Sequence, residues 1–288
     1  MRHGLSLGVG PVGFRIGSAW PGPIAALRGL YAGYPEAEDG IADFTVRLEP
    51  NRPWRRWIRP SIAIGGDHRL PEAAPLALAH GLLAAEMGMN LQMALGLRRY
   101  LLLHASAVER DGRALVMTGA SGAGKSTLAA LLGERGWRLL GDEFVLVDLA
   151  GGGLHPFPRA VSLKNAAITL LEAEAPPERF GPVLEETPKG RIRHLRPRAE
   201  AIHRMAEPAV PALILFPRYG YDKALRPVGA AEAFVRLTQA STNYVSLGEA
   251  GFRALTGLVT ANPACAIDYP DTDGAIDLVE TLWANLDA

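Results

Sequence analysis

The sequence predicts an α/β protein in two parts, and three observations carry that expectation. An apolar run, Ala114 to Thr118, enters a glycine-rich loop, Gly119 to Gly124, which leads into a helical pattern from Lys125 to Arg135. From Tyr100 onward short apolar runs alternate with helical stretches, the rhythm of a sheet with helices laid on it. Ahead of Tyr100 the apolar residues alternate with a period of two and are punctuated by glycine and proline turns. The change of rhythm divides the chain into a smaller α+β domain over 1–95 and a larger α/β domain over 96–288.

In the first part, Phe14-Arg15-Ile16, Phe44 to Leu48 and Ser61 to Ile64 read as half-buried strands. Pro21-Gly22-Pro23 and Gly33-Tyr34-Pro35 read as turns. Asn51 to Pro60 carries Trp54, Trp57 and four arginines, and reads as a hairpin loop whose indoles pack down while the guanidinium groups stay in water. The same loop would also suit a polyanion or an acidic peptide. Apolar residues at three- and four-residue steps predict a helix from about Ala73 to Arg99.

In the second part Leu101 to Val108 reads as a strand and Asp111-Gly112 as a hairpin turn. Arg138 to Leu140, Phe144 to Val147 and Ala212 to Phe216 are further strands, and Ala230 to Thr238 and Gly248 to Thr260 are helices. Between Gly151-Gly152-Gly153 and Ala212 the pattern assigns no element clearly.

Composition excludes several classes. Of 288 residues, 48% are hydrophobic and 21% charged, the balance of a folded globular chain. Thirty basic residues offset thirty acidic ones, which argues against a nucleic-acid partner, since that needs surplus positive charge. Only four of the basic residues are lysines, at 125, 164, 189 and 223, so each lysine reads as a place where a compact point charge is wanted. The one cysteine, Cys265, allows neither an internal disulfide nor a cysteine-based zinc site, in keeping with a reducing cytoplasm. The apolar stretch Leu76 to Leu103 is interrupted by charged and amide residues, so no membrane span is expected; Met1 to Ser6 lacks the apolar core of a secretory signal.

Gly119-Ala120-Ser121-Gly122-Ala123-Gly124-Lys125-Ser126 satisfies G-x-x-x-x-G-K-[ST], followed by Thr127, and it sits where the motif needs to sit, between a strand and a helix. Glycines allow the backbone to aim its N–H groups at a phosphate, at the positive end of the helix dipole. Lys125 would then reach the β- and γ-phosphates, and the Ser126 hydroxyl would ligate Mg²⁺. About one strand further on stand adjacent carboxylates, Asp142 and Glu143, of which one can help hold Mg²⁺ and the other accept a proton. The bland alternative is a solvated acidic turn. His104, within Leu103 to Ala107, is either a hydrogen-bonded core residue or part of the same site.

Three segments together resemble the catalytic domain of HPr serine kinase/phosphorylase: His104-Ala-Ser-Ala-Val, the glycine loop, and Arg135-Gly-Trp-Arg-Leu-Leu-Gly-Asp142-Glu143. Pro158 to Asn165, Phe180-Gly-Pro with Thr187-Pro-Lys189-Gly, and Phe216-Pro-Arg218-Tyr are similar to the HPr-kinase-related kinase A group. The resemblance implies a P-loop kinase core of the HPr kinase and phosphoenolpyruvate carboxykinase type, with ATP and Mg²⁺ as cofactors. It makes Asp142 the base that deprotonates a substrate serine, and sets Glu143, with Ser126, beside the metal. It brings His104 into the active site, and gives Lys164, Lys189 and Arg218 roles in charge neutralisation or substrate positioning; for Arg218 a plain salt bridge is the alternative. The parent family's C-terminal signature for its protein partner is not found, so neither HPr as substrate nor phosphorylase activity carries over; the first hundred residues do not resemble the parent's N-terminal domain, so its hexamer does not carry over either, and a homo-oligomer stays open.

The leading expectation is therefore an ATP- and Mg²⁺-dependent kinase acting on a hydroxyl of a peptide or small protein, such as a ribosomally made precursor in a peptide-modification cluster. Two other readings stand beside it: a kinase of a small-metabolite hydroxyl, and a nucleotide-gated binding module without transfer.

Overall fold

The computed structural model describes residues 2–37, 41–70 and 73–286. The protein is a mixed α/β chain with four sheets among the described residues, and it divides into two compact units. The first comprises Met1–Leu97 and Ser162–Arg196, the second Arg98–Val161 and Pro197–Ala288.

The first unit opens on a hairpin, β1 (His3–Val9) and β2 (Val12–Ser18), with Leu7 opposite Phe14. Helix α1 (Pro21–Leu30) then crosses over to β3 (Phe44–Pro50), which runs parallel to β2 with Val46 beside Ile16. β4 (Ser61–Gly66) and the short β5 (Leu76–Ala77) complete a five-stranded sheet in the order β1-β2-β3-β4-β5, against which α2 (Gly81–Gly96) packs.

The chain enters the second unit through β6 (Tyr100–Leu103), β7 (Ala105–Arg110), β8 (Arg113–Thr118), α3 (Lys125–Glu134), β9 (Arg138–Gly141), β10 (Val145–Asp148) and β11 (Leu154–His155). It returns to the first for β12 (Val161–Lys164), α4 (Ala166–Glu174), β13 (Leu184–Thr187) and β14 (Gly190–Leu195). The second unit is completed by α5 (Ala199–His203), β15 (Val210–Tyr219), β16 (Ala224–Val228), α6 (Ala230–Ala240), α7 (Tyr244–Ala261), β17 (Ala264–Tyr269) and α8 (Thr272–Ala284). Its main sheet has the order β16-β17-β15-β8-β7-β9, and β11-β10-β6 form a second, smaller sheet. Leu101, Val116, Val145, Ile214, Leu237 and Leu255 belong to one core that joins both sheets to α6 and α7.

Polar anchors fix the far side of the unit. Glu109 on β7 is buried and paired with the equally buried Arg138 on β9. Glu109 Oε1 also accepts from the Gly112 N–H at 2.6 Å, and Arg138 Nη1 donates to the Arg204 and Glu207 carbonyls at 2.7 and 3.0 Å. Arg110 makes a forked pair with Glu280 of α8 at 2.7 and 2.8 Å and stacks 4.1 Å over the Trp137 ring, whose Nε1 donates to the same carboxylate.

The fold differs from the sequence expectation at five places, each with a physical reason. Residues 162–196, expected within a 96–288 domain, belong to the first unit. Arg196 Nη1 donates to Gly29 O at 3.1 Å, His80 Nε2 lies 2.8 Å from Glu185 O, and Gly181 lies against Leu30 and Leu82. Pro21-Gly22-Pro23 is not a turn but the first turn of α1, where a proline loses no helical hydrogen bond. The helix read from Ala73 to Arg99 spans only Gly81–Gly96, because Leu76 and Ala77 pair with Ile62 and Ser61 instead. The strand read from Leu101 to Val108 breaks at His104, where the chain passes from one sheet to the other. Finally, the indoles of the arginine loop do not pack down: Trp54 is 51% exposed and Trp57 74%. The inward position there is held by Trp20, whose Nε1 donates to Arg56 O at 2.9 Å, while Arg52 and Arg56 lie over the outer indoles at 5.5 Å.

Among the described residues no helix is long and apolar enough to cross a membrane.

Candidate functional site

Strand direction collects the candidate residues of the second unit. β15 runs parallel to both β8 and β17, and β9 is antiparallel to β7, as is β8. The carboxyl ends of β8, β9, β15 and β17 therefore lie on one edge of the sheet, with the amino end of β7 between the first two. Ligands of open α/β sheets bind outside such an edge. Here it carries the glycine loop after β8, Asp142 and Glu143 after β9, Arg218 and Tyr219 at the end of β15, and Tyr269 at the end of β17.

The loop from Gly119 to Gly124 turns directly into α3. Gly124, its last residue, has φ +92°, a conformation that costs a side-chain-bearing residue about 1–3 kcal/mol. A Cβ there would also stand 2.4 Å from the Tyr269 hydroxyl, so two constraints require glycine. That hydroxyl donates to Ala123 O at 3.1 Å and ties the loop to β17. Burial pushes the Tyr269 phenol well above its ordinary value, so it stays a neutral donor. Lys125 is buried, 8% exposed, and its Nζ donates to Gly119 O at 2.8 Å and Ala120 O at 3.1 Å. Ser126 and Thr127 occupy the first turn of α3, whose N–H groups have no partner within the helix.

On the other side of β7, Asp142 is 3% exposed and its Oδ1 accepts from the Ser106 hydroxyl at 2.5 Å. The register explains the meeting, since Ala107 pairs with Gly141 across β7 and β9. Glu143 follows with φ +70°, a strained value for glutamate, and its Oε2 lies 3.5 Å from His104 Nδ1. His104 itself is fixed through its backbone: its N–H donates to Ala240 O at 2.7 Å, and its carbonyl accepts from the Thr118 hydroxyl at 3.1 Å. The residue just before the glycine loop thus holds the histidine that faces the acidic pair.

Not every sequence candidate joins this edge as a free group. Arg218 is locked in a two-pronged pair with Asp268, its neighbour across β15 and β17, and lies 3.9 Å over the Tyr221 ring. The pair holds the Asp268 carboxyl below its ordinary range. Lys164 ends β12 and Lys189 stands in the turn before β14, so both belong to the first unit, at the same end of its three-stranded sheet. Sequence reasoning gave no role to Ser106 or Tyr269. Ser106 stands inside the His104 to Val108 run and could have been found from its period-two partner His104; nothing in the sequence marks Tyr269.

Among the described residues no three His, Cys, Asp or Glu side chains are gathered as a metal cage. Magnesium needs no such cage, because one or two carboxylates plus substrate phosphates and water suffice. The hard oxygen donors at this edge, the Ser126 hydroxyl and the Glu143 carboxylate, fit that requirement.

Residues 85–174 match a family described as SynChlorMet cassette protein ScmC, a span covering less than half of the chain. That span contains His104, the glycine loop, Asp142 and Glu143. No curated protein matches. Among solved structures the chain is similar to the Hpr(Ser) kinase/phosphatase from Coxiella burnetii, at 15% identity and a TM-score of 0.29, covering 64% of this chain and 94% of that one.

Proposed function

We propose that this protein is a kinase that transfers the γ-phosphoryl group of ATP, with Mg²⁺, to a serine hydroxyl of a peptide or small protein. The observation that carries this reading is the placement of a buried carboxylate, Asp142, one strand from the glycine loop on the same sheet edge. A strand–glycine loop–helix with a lysine at its end binds phosphate, and a carboxylate beside it can serve an attacking hydroxyl.

In this reading the loop N–H groups and Lys125 hold the β- and γ-phosphates, so Lys125 exchanges its two loop carbonyls for phosphate oxygens. Ser126 and Glu143 would hold Mg²⁺, which would supply charge neutralisation on the transferring phosphoryl group. Asp142 accepts the proton of the acceptor hydroxyl as its oxygen bonds to phosphorus; the bond to the bridging oxygen breaks, and ADP leaves. Ser106 fixes the Asp142 carboxylate through Oδ1. His104 steadies Glu143 in its strained backbone conformation.

A peptide acceptor is favoured over a metabolite by the exposed surface of the first unit. Trp54, Trp57 and Ile58 are all more than half exposed, within a segment that carries four arginines and no acid. Such aromatic and arginine surfaces are typical anchors for a partner chain. Changing Trp54 and Trp57 together to Ala is expected to raise KM for the peptide acceptor about tenfold, leaving kcat little changed. An unaltered KM would remove this loop from the account.

The reading as a whole is tested with γ-labelled ATP, Mg²⁺ and peptides encoded beside the gene, with free serine as a control. Label on a peptide serine supports it. Nucleotide binding without transfer to any acceptor would favour a nucleotide-gated binding module instead.

A further inference from the structure

The glycine loop and Lys125 recognise phosphate, and a phosphoryl donor need carry nothing else: inorganic polyphosphate would satisfy them as well as a nucleotide. The end of β15 supplies a reason to choose. We infer that the donor carries a planar nucleobase, which stacks on the ring of Tyr219. This rests on the phosphate-binding reading of the loop.

Tyr219 adjoins the loop directly. A Cβ built on Gly124 would lie 3.5 Å from the Tyr219 Cβ, and one on Gly119 would lie 3.5 Å from Pro217 O, so β15 runs alongside the whole loop. The Tyr219 ring is braced on one side by Tyr269, at 5.9 Å between centroids and tilted by 58°. Tyr269 is the residue whose hydroxyl holds Ala123, so the ring that supports Tyr219 is itself tied to the loop. Despite this bracing Tyr219 remains 52% exposed. Its ring is therefore braced and yet open to solvent, beside the glycine loop.

The neighbouring segment has the same character. Tyr221 is also about half exposed, and it is capped on one face by Arg218, whose charge is taken up by Asp268. Half-exposed tyrosines often do no more than keep a hydroxyl wet over a packed ring. Two of them within three residues, at the ligand edge of the sheet and with Tyr219 against the glycine loop, instead offer exposed aromatic surface to a base. Stacking tolerates any base and depends on ring overlap, so this surface would separate nucleotides from polyphosphate more strongly than one nucleotide from another.

The test is a calorimetric titration of the full chain with MgATP and, separately, with magnesium tripolyphosphate. The wild-type protein is expected to bind ATP about tenfold more tightly. Tyr219→Ala should abolish that preference by weakening ATP alone, whereas Tyr219→Phe should keep it. Equal wild-type affinities would overturn the base platform and leave the loop reading standing. Equal weakening of both ligands in Tyr219→Ala would make Tyr219 a brace for the loop, and would also overturn it. If the wild type bound neither ligand, the phosphate-binding reading would fail first and the platform with it.

Discussion

Asp142→Asn is expected to lower phosphoryl transfer about 10²- to 10⁴-fold, the range that removal of a general base produces. The substitution is nearly isosteric, and the asparagine carboxamide oxygen can still accept from the Ser106 hydroxyl 2.5 Å away. Folding and nucleotide affinity should therefore survive. The combination is what makes the prediction specific: kcat falls while the Kd for ATP stays within a few-fold of wild type. Single-turnover transfer, with parallel nucleotide titration, measures both. A variant that transfers at the wild-type rate would return Asp142 to a structural role as the carboxylate that holds Ser106.

The largest effect on stability is expected at the opposite end of the same strands. Glu109 and Arg138 are each about 2% exposed on their side chains, and the pair is hydrogen-bonded on both sides. Glu109→Ala would leave the Arg138 guanidinium buried without its carboxylate, at a cost of about 3–5 kcal/mol. Urea unfolding of the variant checks this, and a loss below about 1 kcal/mol would contradict the account. The pair also sets a pH dependence. Burial by itself would raise the Glu109 carboxyl, but the hydrogen bonds from Arg138 and Gly112, with the charges of Arg138 and Arg204, outweigh it and hold the group below 4.5. A depressed carboxyl contributes stability that is fully present above its unfolded value and is lost as pH falls through the folded one. Unfolding midpoints of the wild type should therefore decline in acid, below about pH 4.5, and the Glu109→Ala variant should show a shallower decline.

The parts of this molecule that were legible in its sequence are those whose signal is local. The strand, glycine loop and helix from Ala114 to Glu134 are visible because apolar run, glycine spacing and helical period succeed one another without a gap. Asp142 and Glu143 could be placed at a strand end for the same reason. What the sequence conceals is the result of long-range pairing. Nothing local shows that residues 162–196 return to the first unit, since that depends on contacts such as Arg196 with Gly29. The break at His104 is equally hidden, because Leu101 to Val108 is a continuous apolar run and only the Ala240 carbonyl reveals where the sheets part. Tyr269 lies on a strand distant in sequence from the loop it ties down, and only the parallel register of β15 with β8 and β17 brings it there. The arginine loop misled in another way: composition favours burying an indole, and Trp20, far away in sequence, had already filled the space.

The central claim is that the loop from Gly119 to Thr127 holds the phosphates of ATP. It is tested most directly by titrating MgATP into the full chain and into Lys125→Ala, after urea unfolding has shown that both are folded. The account predicts saturable binding to the wild type, weakened tenfold or more in the variant, as expected for loss of a charged hydrogen-bond donor worth about 1.5–3 kcal/mol. No binding to the folded wild type, or equal binding by both proteins, would contradict it.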